Sequence, residues 1–201
     1  MDTRYEDDER LELWLGAPGE ASLTGLAGRA LLLTLLALAT GGFLRHGVDA
    51  EYLGGSFLHL VNLPFHEAGH VVFMPFGRFV MTLGGSLLQV AVPLVCGVVF
   101  LTKTRDPFAA SAAAWWAGQS LMDLAPYIAD ARALQLVLLG GHTGAEVEGH
   151  DWEYILQTLG WLHRDAALGD AAFMTGAVVM VGGLAWGAAV LVRQYRSQRS
   201  A

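Results

Sequence analysis

"FVMTLGGSLLQVAVPLVCGVVFLT", Phe79 to Thr102, contains no Asp, Glu, Lys or Arg. As a helix rising about 1.5 Å per residue, it is long enough to cross a hydrocarbon core of about 30 Å. Ala171 to Val192 is a second charge-free run of similar length. Ala30 to Leu44 is shorter, but it extends back through Leu26 if the long stem of Arg29 carries its charge to the interface. Leu53 to Gly77 and Phe108 to Leu139 are also apolar, with ionisable residues inside them. The sequence therefore predicts an all-α integral membrane protein, a compact bundle of about five transmembrane helices with an additional interfacial helix.

Composition agrees. The chain has 201 residues, 54% of them hydrophobic and 15% charged, with a mean hydropathy of +0.43, which argues against an ordinary soluble domain. The opening "MDTRYEDDERLELWLGAPG" carries six carboxylates against two arginines. That is the reverse of a secretory signal, so residues 1–22 are expected to be an acidic tail or interfacial helix. Residues 23–192 form the expected membrane-embedded domain, with a loop and interfacial helix at about 141–168. Residues 193–201 make a basic tail suited to anionic lipid. The net charge of −7 and the scattered basic residues speak against nucleic acid as a partner. Cys96, the lone cysteine, can form no intrachain disulfide and reads as a packing residue. The compact architecture without a cleavable signal points to a multi-pass protein of a bacterial inner membrane.

Inside the second apolar segment stands "NLPFHEAGHVVFMPFG", Asn62 to Gly77. Burying histidines and a glutamate among phenylalanines and valines is unfavourable unless they have a task or partners. His66, Glu67 and His70 spell H-E-x-x-H. On a helix the two imidazoles share a face and reach one metal ion, while Glu67 approaches a metal-activated water. This is the residue pattern of zinc-assisted peptide hydrolysis, with one Zn²⁺ per chain and Glu67 as general base. Pro64 suits the first turn of that helix, so a helix start close by is expected and His59 falls out of register, as a supporting or structural residue. Gly69 leaves room for another backbone or for substrate.

A catalytic zinc normally takes three protein ligands. Asp123 and Asp130, seven residues apart in "GQSLMDLAPYIADARALQL", lie near one face of a helix and are candidates. His150, beside Asp151 in "GHDWEYILQTLGWL", is another, on an amphipathic helix that folds over the site.

"HEAGH" followed by an aspartate-bearing apolar segment with a central proline resembles the site-2 protease family of intramembrane zinc metallopeptidases. In that family the later segment carries Asn-x-x-Pro and then an aspartate ligand before glycine. Here "DLAPYIADA" has Asp123 where the asparagine would stand, Pro126 three residues on, and Asp130 one residue early, before Ala131. The resemblance implies His66, His70 and Asp130 as metal ligands, Glu67 as catalytic base, and a membrane-anchored protein as substrate. "GGSLLQVAVP", Gly84 to Pro93, is a further echo. Gln89 is a candidate donor to substrate or to a transition-state oxygen, or else a packing residue, and Gly84 and Gly85 allow close helix approach.

Two other functions compete. A non-catalytic binding or chaperone factor would keep the metal but has no need of Glu67. A metal transporter would use intramembrane His and Asp residues, but no inverted repeat is visible. Hydrolysis of membrane-associated proteins is the reading the motif favours.

Overall fold

The computed structural model describes residues 12–16 and 22–200. Most of the acidic tail, residues 1–11 and 17–21, lies outside them, as does Ala201 of the basic tail. After a helical turn at 12–15, the helices are α1 (Leu23–His46), α2 (Ala50–Gly54), α3 (Phe57–Phe73), α4 (Arg78–Thr102), α5 (Pro107–Ala129), α6 (Asp151–Thr158) and α7 (Asp165–Ser200). Short 3-10 turns at Met74–Phe76 and Leu162–Arg164 lead into α4 and α7. The described residues contain no strand, and their only β pairing is an isolated bridge between Val137 and Thr143. Local chemistry sets several starts: Asp49 accepts from the amides of Glu51 and Tyr52, Ser56 from that of His59, and His150 from that of Glu153. Gly77, with φ 89°, makes the left-handed turn between α3 and α4.

Among the described residues, three helices are long and apolar enough to cross a membrane: Leu23–His46, Arg78–Thr102 and Leu162–Arg199. Their large apolar side chains point outward, with Leu38 69%, Val98 61% and Val178 69% exposed, a pattern that suits lipid rather than water. The other two expected segments differ. The apolar stretch from Leu53 divides at Ser56, and the 17 residues of α3 reach about 25 Å. Helix α5 has 23 residues but is built largely from Ala, Trp, Ser and Gly, with Gln119 and Asp123 inside it, so its hydropathy is lower. Residues 193–200 continue α7 as helix.

The chain divides into two compact units. One draws its described residues from Met1–Gly42, Pro93–Ala117 and Val179–Ala201. Within it the Trp115 indole donates to the Thr40 hydroxyl at 2.8 Å, and Arg29 pairs with Asp106 at 2.9 Å and donates to Gln194 at 2.7 Å. Arg29 is thus held by protein partners instead of reaching for the interface alone. The other unit comprises Phe43–Val92 and Gly118–Val178 and contains the H-E-x-x-H sequence. Here α3 and α4 meet backbone to backbone, because a Cβ on Gly69 would collide with the Gly84 carbonyl. Gly176 likewise lets α7 pack against the Gly118 carbonyl on α5, which a Cβ there would meet at 2.5 Å.

Candidate metal centre

Helix α3 runs through Pro64 from its Ser56 cap instead of starting near the proline. His59, His66 and His70 therefore lie on one continuous helix. The His66 and His70 rings stand edge to face with centroids 5.0 Å apart, and their Nε2 atoms point to a common place.

The third group there comes from the first residue of α6. Asp151 Oδ2 lies 3.1 Å from His66 Nε2 and 3.2 Å from His70 Nε2. One donor atom from each of these three residues lies within 4.8 Å of the others. The N-terminus of α6 is fixed by several contacts. The Asp151 amide donates to the Tyr127 hydroxyl at 2.9 Å, the Trp152 indole donates to Ser86 at 3.2 Å, and the Arg78 guanidinium lies 4.2 Å over the Tyr154 ring. Ile155 and Leu156 bury its apolar face.

Hydrogen bonds determine which ring nitrogens carry protons. The His70 Nδ1 lies 3.0 Å from the Met81 carbonyl, which can only accept, so Nδ1 bears the hydrogen. For His66 the constraint passes through an amide. Gln89 Nε2 donates to the Asp123 carboxylate at 3.0 Å and to the Ser120 carbonyl at 3.3 Å, which turns its Oε1 to His66 Nδ1 at 3.0 Å. That oxygen requires an N–H on Nδ1. Asp123 is held in turn by Asn62 at 3.1 Å and by His59 at 3.1 Å. With Nδ1 carrying the hydrogen, each ring in its neutral form turns an Nε2 lone pair to the Asp151 carboxylate.

In that form three acceptors face one another, an arrangement that a cation can satisfy. The space for it is kept by Gly85, where a Cβ would stand 2.6 Å from the Nε2 of both histidines. Two imidazoles and one carboxylate form a donor set suited to zinc, and the Gln89 and Met81 contacts are the outer-shell partners that fix ligand tautomers. The donor chemistry and the space at Gly85 both fit the ion.

Asp130, Asp123, His150 and Gln89 take other positions. The Asp130 carboxylate accepts from the amides of Gln135 and Leu136, both at 2.9 Å, and stands 3.5 Å from His150 Nε2. It shapes the loop after α5 and is not brought to His66 and His70. His150 caps α6 through Nδ1, so its neighbour Asp151 occupies the place expected for it. Asp123 reaches His66 only through Gln89. Gln89 is engaged at both ends of its amide, which orients His66. Asp151, missed as a candidate ligand, has a sequence signal: a carboxylate following a glycine-rich loop, at the start of an amphipathic helix.

Burial works to raise the Asp151 carboxyl, but His66 and His70, which donate to it from Nε2 when that nitrogen is also protonated, outweigh burial and hold the group below the usual carboxylate range. Burial pushes the His150 imidazole below its ordinary value despite the nearby Asp130 carboxylate, favouring the neutral form that caps α6.

His66, Glu67, His70 and Asp151 line one cavity of about 510 Å³, with Tyr127 and His59 also on its wall. Glu67 is exposed there while His66 is buried. Leu136 to Leu139 and Val147 give the cavity an apolar side. No protein-family model matches this sequence, and no curated protein or solved structure matches it either.

Proposed function

We propose that the chain is an integral membrane zinc metallopeptidase that hydrolyses peptide bonds of membrane-associated proteins. The observation that carries this reading is the convergence of His66 Nε2, His70 Nε2 and Asp151 Oδ2 in a cavity that also admits Glu67. His66, His70 and Asp151 would hold the ion. Zinc supplies Lewis acidity, which polarises a carbonyl and makes water a stronger acid.

The chain's own groups do the rest. Glu67 takes a proton from the attacking water and returns it to the departing nitrogen. Gln89 and the Met81 carbonyl keep both histidines in the Nδ1–H tautomer, leaving their Nε2 lone pairs for the ion. The polar wall around His59 and Asp123 keeps water in a cavity within an apolar protein, and the apolar side suits a hydrophobic substrate segment.

In this reading α3 and α5 complete a five-span bundle with the three long apolar helices, and α6 lies at the interface. A bacterial inner membrane is the proposed location. The resemblance of "HEAGH" and the later aspartate-proline segment to site-2 proteases supports the same activity, with Asp151 replacing Asp130 as third ligand. The test compares zinc-loaded wild type with Glu67→Gln, in detergent, on fluorescein-labelled β-casein. Zinc-dependent cleavage by wild type and none by the variant is expected; equal turnover by both removes the general-base assignment, and no cleavage by either counts against the peptidase reading.

A further inference from the structure

With both ends of the Gln89 amide engaged, the donor to the reacting carbonyl must come from elsewhere on the cavity wall. Tyr127 has the required position. It follows Pro126 on α5, and its ring is clamped between His150, at a centroid distance of 4.4 Å, and His66, at 6.1 Å. Its oxygen accepts the Asp151 amide at 2.9 Å, so the phenol is tied to two of the three candidate ligands while lining the cavity that holds Glu67.

A phenol has one proton to donate and two lone pairs. The Asp151 amide occupies a lone pair and leaves the proton for another acceptor. The clamped ring makes the donor rigid before substrate arrives, the condition under which a hydrogen bond to developing charge is most effective.

We propose that Tyr127 is a catalytic residue whose hydroxyl donates a hydrogen bond to the scissile carbonyl oxygen as negative charge builds on it. The inference rests on the peptidase reading of the site. In the hydrolytic step the water oxygen bonds to the carbonyl carbon, the C–N bond breaks, and Glu67 carries a water proton to the leaving nitrogen. Tyr127 keeps its own proton throughout. The Asp151 carboxylate is the competing acceptor; a hydroxyl committed to it would only position the ligand.

Tyr127→Phe separates the two roles, because it keeps the ring and removes only the hydroxyl. Three quantities are read on the full-length protein in detergent: zinc per chain, kcat and KM on fluorescein-labelled β-casein, and the Kd of a dipeptide phosphonamidate, whose anionic oxygen mimics the reacting one. The expected result is unchanged zinc, kcat lower by about 100-fold, little change in KM, and phosphonamidate binding weaker by about 10-fold or more. Loss of zinc in Tyr127→Phe, or phosphonamidate affinity equal to wild type, overturns the assignment. Failure of the underlying reading looks different: zinc-loaded wild type then cleaves no better than Glu67→Gln. Wild type that binds no phosphonamidate overturns both.

Discussion

Replacing Gly85 by alanine should empty the metal centre without harming the helix that carries it. The new Cβ would stand 2.6 Å from the Nε2 of both His66 and His70, where ordinary contact begins at 3.4 Å, a shortfall of 3.4 − 2.6 = 0.8 Å. Metal–ligand distances tolerate about 0.2 Å. Moving α4 away instead would stretch the Gln89–His66 and Met81–His70 hydrogen bonds that orient the rings. Either accommodation unseats the nitrogens, and zinc affinity should fall by about 100-fold or more, which is about 2.7 kcal/mol. Alanine favours an interior helical position by about 1 kcal/mol over glycine, so lost binding would not reflect a weakened α4. Gly97→Ala, on the same helix, is the control: its Cβ would meet the nearest atom at 3.6 Å and should leave zinc unchanged. Affinity is measured by competition with a chromophoric chelator in detergent. Wild-type affinity in Gly85→Ala would refute the idea that this glycine keeps the ion's space.

Other perturbations address the surrounding structure. Gln89→Leu should weaken zinc about 10- to 100-fold, because His66 loses the acceptor that fixes its tautomer; chelator competition measures this, and an unchanged Kd would show that the amide does not orient the ring. Chelation should speed hydrogen exchange across Asp151–Thr158, since the short α6 would lose the proposed ion joining its first residue to α3; equal protection with and without zinc would contradict that link. Gly176→Ala places a Cβ 2.5 Å from the Gly118 carbonyl and should destabilise the protein by about 1–3 kcal/mol, read as a lower thermal midpoint in detergent with zinc held constant.

The parts legible in the sequence were those set by local spacing. His66 and His70 lie one helical turn apart, so their shared face follows from the chain itself. The long apolar runs of α4 and α7 announce themselves by length. Glycines 69, 84 and 85 signal close approach because they carry no side chain, although which atoms fill the space is a tertiary matter. Asp151 shows where local reasoning stops. It is separated from His66 by 85 positions, and it arrives because Tyr127, Ser86 and Arg78 seat α6. Asp130 lies closer to the motif in sequence but satisfies the amides of its own loop. Pro64 suggested a helix start, yet Ser56 supplied a cap about two turns before the proline. The five-span expectation read α5 as part of an apolar run with ionisable residues inside it, whereas its Ala, Ser and Gly content suits tight packing within protein as well as passage through lipid.

The central claim is a metal centre made by His66, His70 and Asp151. Its most direct test is zinc content, by elemental analysis, of the detergent-purified protein beside Asp151→Ala and Asp130→Ala. The account predicts near one zinc per chain in wild type and Asp130→Ala, and a sharp loss in Asp151→Ala. Zinc retained in Asp151→Ala and lost in Asp130→Ala would contradict it, as would a folded wild type that takes up no zinc.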